Sequence, residues 1–141
     1  MGPVDLQSIP FGALLLVDSA PIIYLLEENR RYASRFWPVF DAHARGSIRI
    51  AISTITVTEI LVGPLQAGEE ALLRRYRSML ESWQVVPLDI NVAESAARLR
   101  ASLRLRLADA VQVASALAVN AAALVTHDRD FSRVRALPII S

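Results

Sequence analysis

The chain has 141 residues, 53 % of them apolar, with 15 basic against 14 acidic side chains. That is the size and composition of a single domain, 1–141, with a substantial core and no overall field that would recruit nucleic acid by charge alone. The absence of cysteine excludes disulfides and thiolate metal centres. The most membrane-like window, Leu107 to Val125, carries Asp109, Gln112 and Asn120, and Met1 to Phe11 lacks the basic start and apolar core of a secretory signal, so a cytoplasmic protein with no membrane span is expected.

The first predicted element is Leu14-Leu15-Leu16-Val17, which stops at Asp18 and Ser19. Four bulky apolar residues without alternation mark a strand covered on both faces, the pattern of a parallel sheet between helices. Ser19 with Pro21 in the first turn predicts a helix start, running to about Glu28. Arg31 to Arg45 is helical in pattern, but Pro38 predicts a break or kink near Trp37. Five of the nine aromatic residues, Tyr24, Tyr32, Phe36, Trp37 and Phe40, fall in this region. They are more than one helix face needs, and so mark either core or an exposed partner groove.

Ile48 to Ile52 alternates as a second strand. Thr54 to Leu61 follows as a short helix, closed by Gly63-Pro64. Leu72, Leu73, Tyr76, Met79, Leu80 and Trp83 form the apolar face of the next helix. Val85 to Leu88 is a third strand. Asn91 as N-cap with Glu94 at N3 predicts a helix with Val92, Ala96, Leu99 and Leu103 on one face. An alanine-rich helix from Ala110 to Val119, opened by Asp109, leads to a fourth strand, Ala122 to Thr126, and a short fifth, Leu137 to Ile140. Strand and helix alternate throughout, which predicts right-handed parallel crossovers and a three-layer α/β domain.

Four acids fall at related places in this plan. Asp18 ends the first strand, Glu59 lies in the helix after the second, Asp109 opens the helix before the fourth, and Asp128 follows the fourth. In open parallel sheets the carboxyl edge is where ligands bind. A cluster of carboxylates with no cation among them is repulsive and calls for a hard divalent cation. Each acid also has an ordinary structural reading: Asp18 bonding the next turn, Thr56-x-x-Glu59 as a capping box, Asp109 on the helix dipole, and Asp128 in a turn. Convergence of all four on one edge is what favours chemistry.

The segments Leu15-Leu16-Val17-Asp18-Ser19, Ile52 to Ile60, Leu105-Arg106-Leu107-Ala108-Asp109-Ala110 and Leu124-Val125-Thr126-His127-Asp128-Arg129-Asp130-Phe131 resemble, in order and spacing over residues 14 to 140, the motifs of the PIN-domain nucleases. Among these the chain looks like the VapC-type toxins of bacterial toxin-antitoxin pairs. The resemblance implies a parallel sheet in the order 3-2-1-4-5, ribonuclease activity dependent on Mg²⁺ or Mn²⁺, a small antitoxin that blocks the site, and homodimerisation. Asp18, Glu59, Asp109 and Asp128 match the family's acidic quartet, and Thr126 the hydroxyl residue beside it. Two departures are visible: Ala108 stands where many relatives have proline, and the loop Ser102 to Arg106 is about one residue short.

The expected chemistry is metal-assisted phosphodiester hydrolysis, with Asp18, Asp109 and Asp128 as ligands and Glu59 as ligand or base. Thr126 would orient a carboxylate from behind. Arg104, Arg106, Arg129 and Arg133 are the candidates for RNA phosphates. His127, a lone histidine in a turn, is a weak candidate for general base. Tyr24, Tyr32, Phe36, Trp37 and Phe40 are the candidate antitoxin surface. A phospho-receiver is disfavoured because the chain has no lysine, and a haloacid-type phosphatase because Ala20 stands two residues after Asp18. A PIN-fold interaction module without turnover remains the alternative.

Overall fold

The computed structural model describes residues 2–127 and 131–141. In chain order the elements are β1 (Ala13–Val17), α1 (Ser19–Leu26), α2 (Ala33–Ala44), β2 (Ile48–Ser53), α3 (Thr54–Gln66) and α4 (Glu70–Glu81), then β3 (Gln84–Val86), α5 (Ile90–Leu103), α6 (Leu107–Ala118), β4 (Ala123–Val125) and β5 (Ile139–Ile140). The strands form one parallel sheet in the order β3-β2-β1-β4-β5, as the sequence resemblance implies.

β1 shows why the apolar run does not alternate. Leu15 and Val17 enter one core with Ile22, Phe36, Ile60 and Leu80, while Leu14 and Leu16 enter a second with Val92, Ala110, Val113 and Phe131. Both faces of the strand are therefore covered, by α1 to α4 on one side and α5 and α6 on the other. The register then fixes the functional edge. Leu16 pairs with Ala51 and Val17 with Val125, so the next residues along, Asp18, Ser53 and Thr126, stand side by side at the carboxyl ends of three adjacent strands. The backbone N–H of Asp18 donates to Val125 O at 2.8 Å, carrying the ladder up to the acid itself.

Neither helix ends at its proline. α2 runs through Pro38, and α3 through Gly63-Pro64. Pro38 removes one backbone bond at a cost of roughly 3 kcal/mol. The same helix buries Phe36, Val39 and Phe40, each contributing roughly 1.5–3 kcal/mol. Burial outweighs the lost bond. In α3, Gly63 has no Cβ to meet the ring of Pro64, which relieves the usual restriction on the residue before proline. The helix ends later, where Gly68 takes φ +70° and Glu69 N–H donates to Pro64 O at 2.9 Å while Gly68 N–H donates to Leu65 O at 3.2 Å, a Schellman closure.

Three caps also differ from expectation. Asp18, not Ser19, caps α1, accepting from Ser19 N–H at 2.8 Å. Ser53, not Thr56, caps α3, accepting from Thr56 N–H at 3.2 Å, so the Thr56–Glu59 capping box does not form. Asp89, not Asn91, caps α5, accepting from Val92 N–H at 2.9 Å. In each case the cap lies one to three residues earlier than the side-chain pattern suggests, because the strand or loop ahead of the helix delivers an acceptor first. Among the described residues no helix is long and apolar enough to cross a membrane.

Candidate active site

Asp18 leaves β1 with extended backbone, and its carboxylate is held from three sides. Oδ1 accepts from Ser19 N–H and from Gln112 Nε2, both at 2.8 Å, and Oδ2 accepts from the Thr126 hydroxyl at 2.9 Å. Asp109 is the third residue of α6, buried to 9 % exposure, where the unpaired N–H groups of the first turn favour a negative charge. Arg106, the N-cap residue of the same helix, places Nε 3.4 Å from Asp109 Oδ2 while the rest of its side chain remains exposed.

Glu59 projects from α3 toward these two. Loss of surrounding water pushes its carboxyl above the usual carboxylate range, the negative charge of Asp18 pushes the same way, the Ser19 hydroxyl acts in opposition, and Asp109 adds a further upward push. The three acids therefore behave as one electrostatic cluster. All three line an open cleft of about 430 Å³, together with Ser19, Ala20, Tyr24, Arg106, Ala108, Gln112 and His127. Asp128 and Arg129 lie outside the described residues.

The donor set suits a hard divalent cation: acceptor-only carboxylate oxygens, mutually repulsive, that line one cleft at the carboxyl edge of the sheet. Among the described residues no three histidine, aspartate or glutamate side chains come together closely enough to hold a metal ion by themselves.

Of the candidate arginines that are described, Arg106 lines the cleft. Arg104 and Arg133 are exposed outside its lining, and Arg104 carries the left-handed turn (φ +56°) that ends α5 before the short loop into α6. The aromatic stretch divides. Phe36 and Phe40 are buried in the core at 0 % and 8 % exposure, and so do not line an exposed groove, whereas Trp37 is 54 % exposed. Core packing wins at the two phenylalanines because the α2 face that carries them is the one laid on the sheet. Tyr24 instead reaches the cleft, where its hydroxyl and Nδ1 of His127 are hydrogen-bonded at 2.7 Å and Tyr32 packs its ring on the histidine at 4.6 Å between centroids. Burial, then the neighbouring Tyr32, holds the Tyr24 phenol above its ordinary value. His127 is thus part of an aromatic cluster and not an isolated turn residue.

Gln112 and Thr56 also belong to the site, although the sequence pattern marks Thr56 only as a capping-box residue. Gln112 is 1 % exposed, and its Nε2 donates to Thr56 Oγ1 at 2.7 Å as well as to Asp18. The signal was present: a lone amide in an apolar helix, three residues after an acid and on the same face.

The model of the PIN-domain family matches residues 15–137. The chain therefore belongs to the PIN-domain family. Among solved structures, a toxin-antitoxin complex from Klebsiella pneumoniae superposes with TM-score 0.71 at 25 % identity, covering 90 % of this chain and 96 % of that one. DNA-bound VapBC from Salmonella typhimurium gives TM-score 0.71 at 21 % identity, with 90 % and 96 % covered. VapBC-5 from Mycobacterium tuberculosis gives 0.58 at 24 %, with 90 % and 97 % covered. No curated protein sequence matches the chain significantly.

Proposed function

We propose that this protein is a VapC-type toxin: a divalent-metal-dependent endoribonuclease of the cytoplasm, held in check by a small antitoxin and assembling as a homodimer. The observation that carries this reading is the convergence of Asp18, Glu59 and Asp109 on one cleft at the carboxyl edge of a PIN-fold sheet. The named toxin-antitoxin complexes among its structural relatives support the biological assignment.

Asp18, Glu59 and Asp109, with Asp128, would hold Mg²⁺ or Mn²⁺, which when bound stabilises charge on the scissile phosphate and activates water. The chain's own residues do the rest. Thr126 fixes one oxygen of Asp18 from behind the cleft. Glu59, whose carboxyl holds a proton more readily than an ordinary glutamate, is suited to accept one from an attacking water and to release it again. Arg106, exposed at the cleft and next to Asp109, is placed to engage a phosphate of the bound strand.

With Phe36 and Phe40 in the core, we assign the antitoxin surface to the groove of about 290 Å³ between α1, α3 and α4. Its lining includes Ile23, Leu26, Ile60, Pro64, Leu72 and Tyr76, and it shares Glu59 with the catalytic cleft. A segment laid there would end at the acids and obstruct them.

The test is cleavage of a fluorescence-quenched RNA by the purified protein with Mg²⁺ or Mn²⁺, with EDTA, and in Asp18→Asn and Asp109→Asn variants. Loss of several kcal/mol of transition-state stabilisation should slow either variant at least about 100-fold. Undiminished metal-dependent cleavage by both variants would refute the site. Growth arrest on expression, relieved by co-expression of the neighbouring gene, tests the toxin role.

A further inference from the structure

We propose that Gln112 is a positioning residue that locks the Asp18 carboxylate with Oδ2 turned to a divalent cation and ties the three described acid-bearing elements of the site together. The proposal deepens the nuclease reading above and rests on it for the identity of the cation.

The geometry is specific. A carboxylate only accepts hydrogen bonds, so the amide nitrogen of Gln112, not its oxygen, must face Asp18. Both amide hydrogens are then committed, one to Asp18 Oδ1 at 2.8 Å and one to Thr56 Oγ1 at 2.7 Å. Oδ1 already receives Ser19 N–H at 2.8 Å, so its two in-plane acceptor directions are filled. Oδ2 receives the Thr126 hydroxyl at 2.9 Å and retains a second direction. Asp18 is thereby orientated to offer a cation one defined oxygen.

The same amide connects elements. Gln112 lies three residues after Asp109 on α6, so anchoring it also sets the rotation of the turn that carries Asp109. Thr56 lies in the first turn of α3, its N–H donating to the cap residue Ser53, and Glu59 follows about one turn later on that helix. Asp18, Asp109 and Glu59 are therefore spaced through one buried side chain. Gln112 does not sit there for its own comfort: its Oε1 is buried without a hydrogen-bond partner among the described residues. An amide that tolerates this is being held by what its nitrogen supplies.

The experiment uses the full chain and Mn²⁺ as probe. Gln112→Met keeps length and volume while removing both donors. Calorimetric titration with MnCl₂ in the absence of RNA should show the dissociation constant rising about 10–100-fold. The amide of Ser19, released as Asp18 loosens, should exchange with solvent at least tenfold faster by NMR. Thr56→Val, which leaves Gln112 and Asp18 in place, should weaken Mn²⁺ several-fold, and the double variant should be no weaker than Gln112→Met alone. If Gln112→Met does not fold, Thr56→Val carries the test. Mn²⁺ affinity and Ser19 exchange within twofold of wild type in the folded variants would overturn the proposal. If wild-type protein neither binds Mn²⁺ nor cleaves RNA, the nuclease reading falls separately. Ser19 exchange then decides the role of Gln112: faster exchange in the variant supports it, and unchanged exchange overturns it.

Discussion

The hydroxyl of Thr126 donates to Oδ2 of Asp18 at 2.9 Å, although 108 residues separate the two along the chain. The parallel pairing of β4 with β1 brings the ends of the two strands level, and Thr126 is fully buried at that junction. Thr126→Val keeps the shape and removes the donor. The variant should remain folded and lose about 10–100-fold in Mn²⁺ affinity or RNA cleavage, while Thr126→Ser retains most of both. Equal activity of the valine and serine variants would show that the hydroxyl is idle.

Glu59 makes a prediction about pH. Its carboxyl is raised above the ordinary range, first by desolvation and then by Asp18 and Asp109, so the native state binds its proton more tightly than the unfolded chain does. The stabilisation this gives is complete below the unfolded carboxylate range and is lost as pH rises through the native value. Glu59→Gln should therefore raise the Tm of metal-free protein at neutral pH, with the difference shrinking toward pH about 4. Mn²⁺ should narrow the gap at neutral pH by favouring the ionised wild-type side chain. A lower Tm for Glu59→Gln at neutral pH would contradict the electrostatic account.

The aromatic stretch separates stability from recognition. Phe40→Ala opens a hole in the core beside Trp83 and should cost about 3–5 kcal/mol in chemical denaturation. Trp37→Ala, at a half-exposed site, should cost far less and leave antitoxin binding intact. Leu72→Arg, in the groove that adjoins Glu59, should weaken the toxin-antitoxin complex at least about tenfold, a loss of roughly 1.4 kcal/mol, with nuclease activity retained. Reversal of that order in a pull-down with the neighbouring gene's product would return the docking surface to the aromatic face.

Arg104 pays a conformational cost at φ +56°, roughly 1–2 kcal/mol for a residue with a Cβ. Glycine avoids that cost but loses roughly 0.5–1 kcal/mol of chain entropy. Arg104→Gly should therefore hold or raise stability by up to about 1 kcal/mol in urea denaturation. Weakened RNA binding in this variant, compared at fixed salt, would assign Arg104 to the phosphate path even though it lies outside the cleft lining.

The elements were legible where local chemistry and tertiary structure agree. Leu14 to Val17 read as a doubly covered strand because both cores press on it, and the face of α5 at Val92, Ala96 and Leu99 read from periodicity alone. The reading failed at Pro38 and at Gly63-Pro64, where a local penalty is outweighed by the burial of side chains whose partners lie far away in sequence. At Phe36 and Phe40 it left core and partner groove both open, since a surplus of aromatics says nothing about which face of the helix meets the sheet; they are core.

For the site, the sequence by itself determined which oxygen donors the chain possesses and in what order they come: Asp18, Glu59, Asp109, and Asp128 beyond the described residues. Those are covalent facts, and alternation of strand and helix is enough to assign most of them to one sheet edge. Only the tertiary structure decided how the carboxylates are held. Register sets Asp18 beside Ser53 and Thr126, and the packing of α6 across the sheet brings Gln112 within 2.8 Å of an acid 94 residues away. A hydrogen bond depends on ångström distances between side chains, which no spacing along the chain specifies.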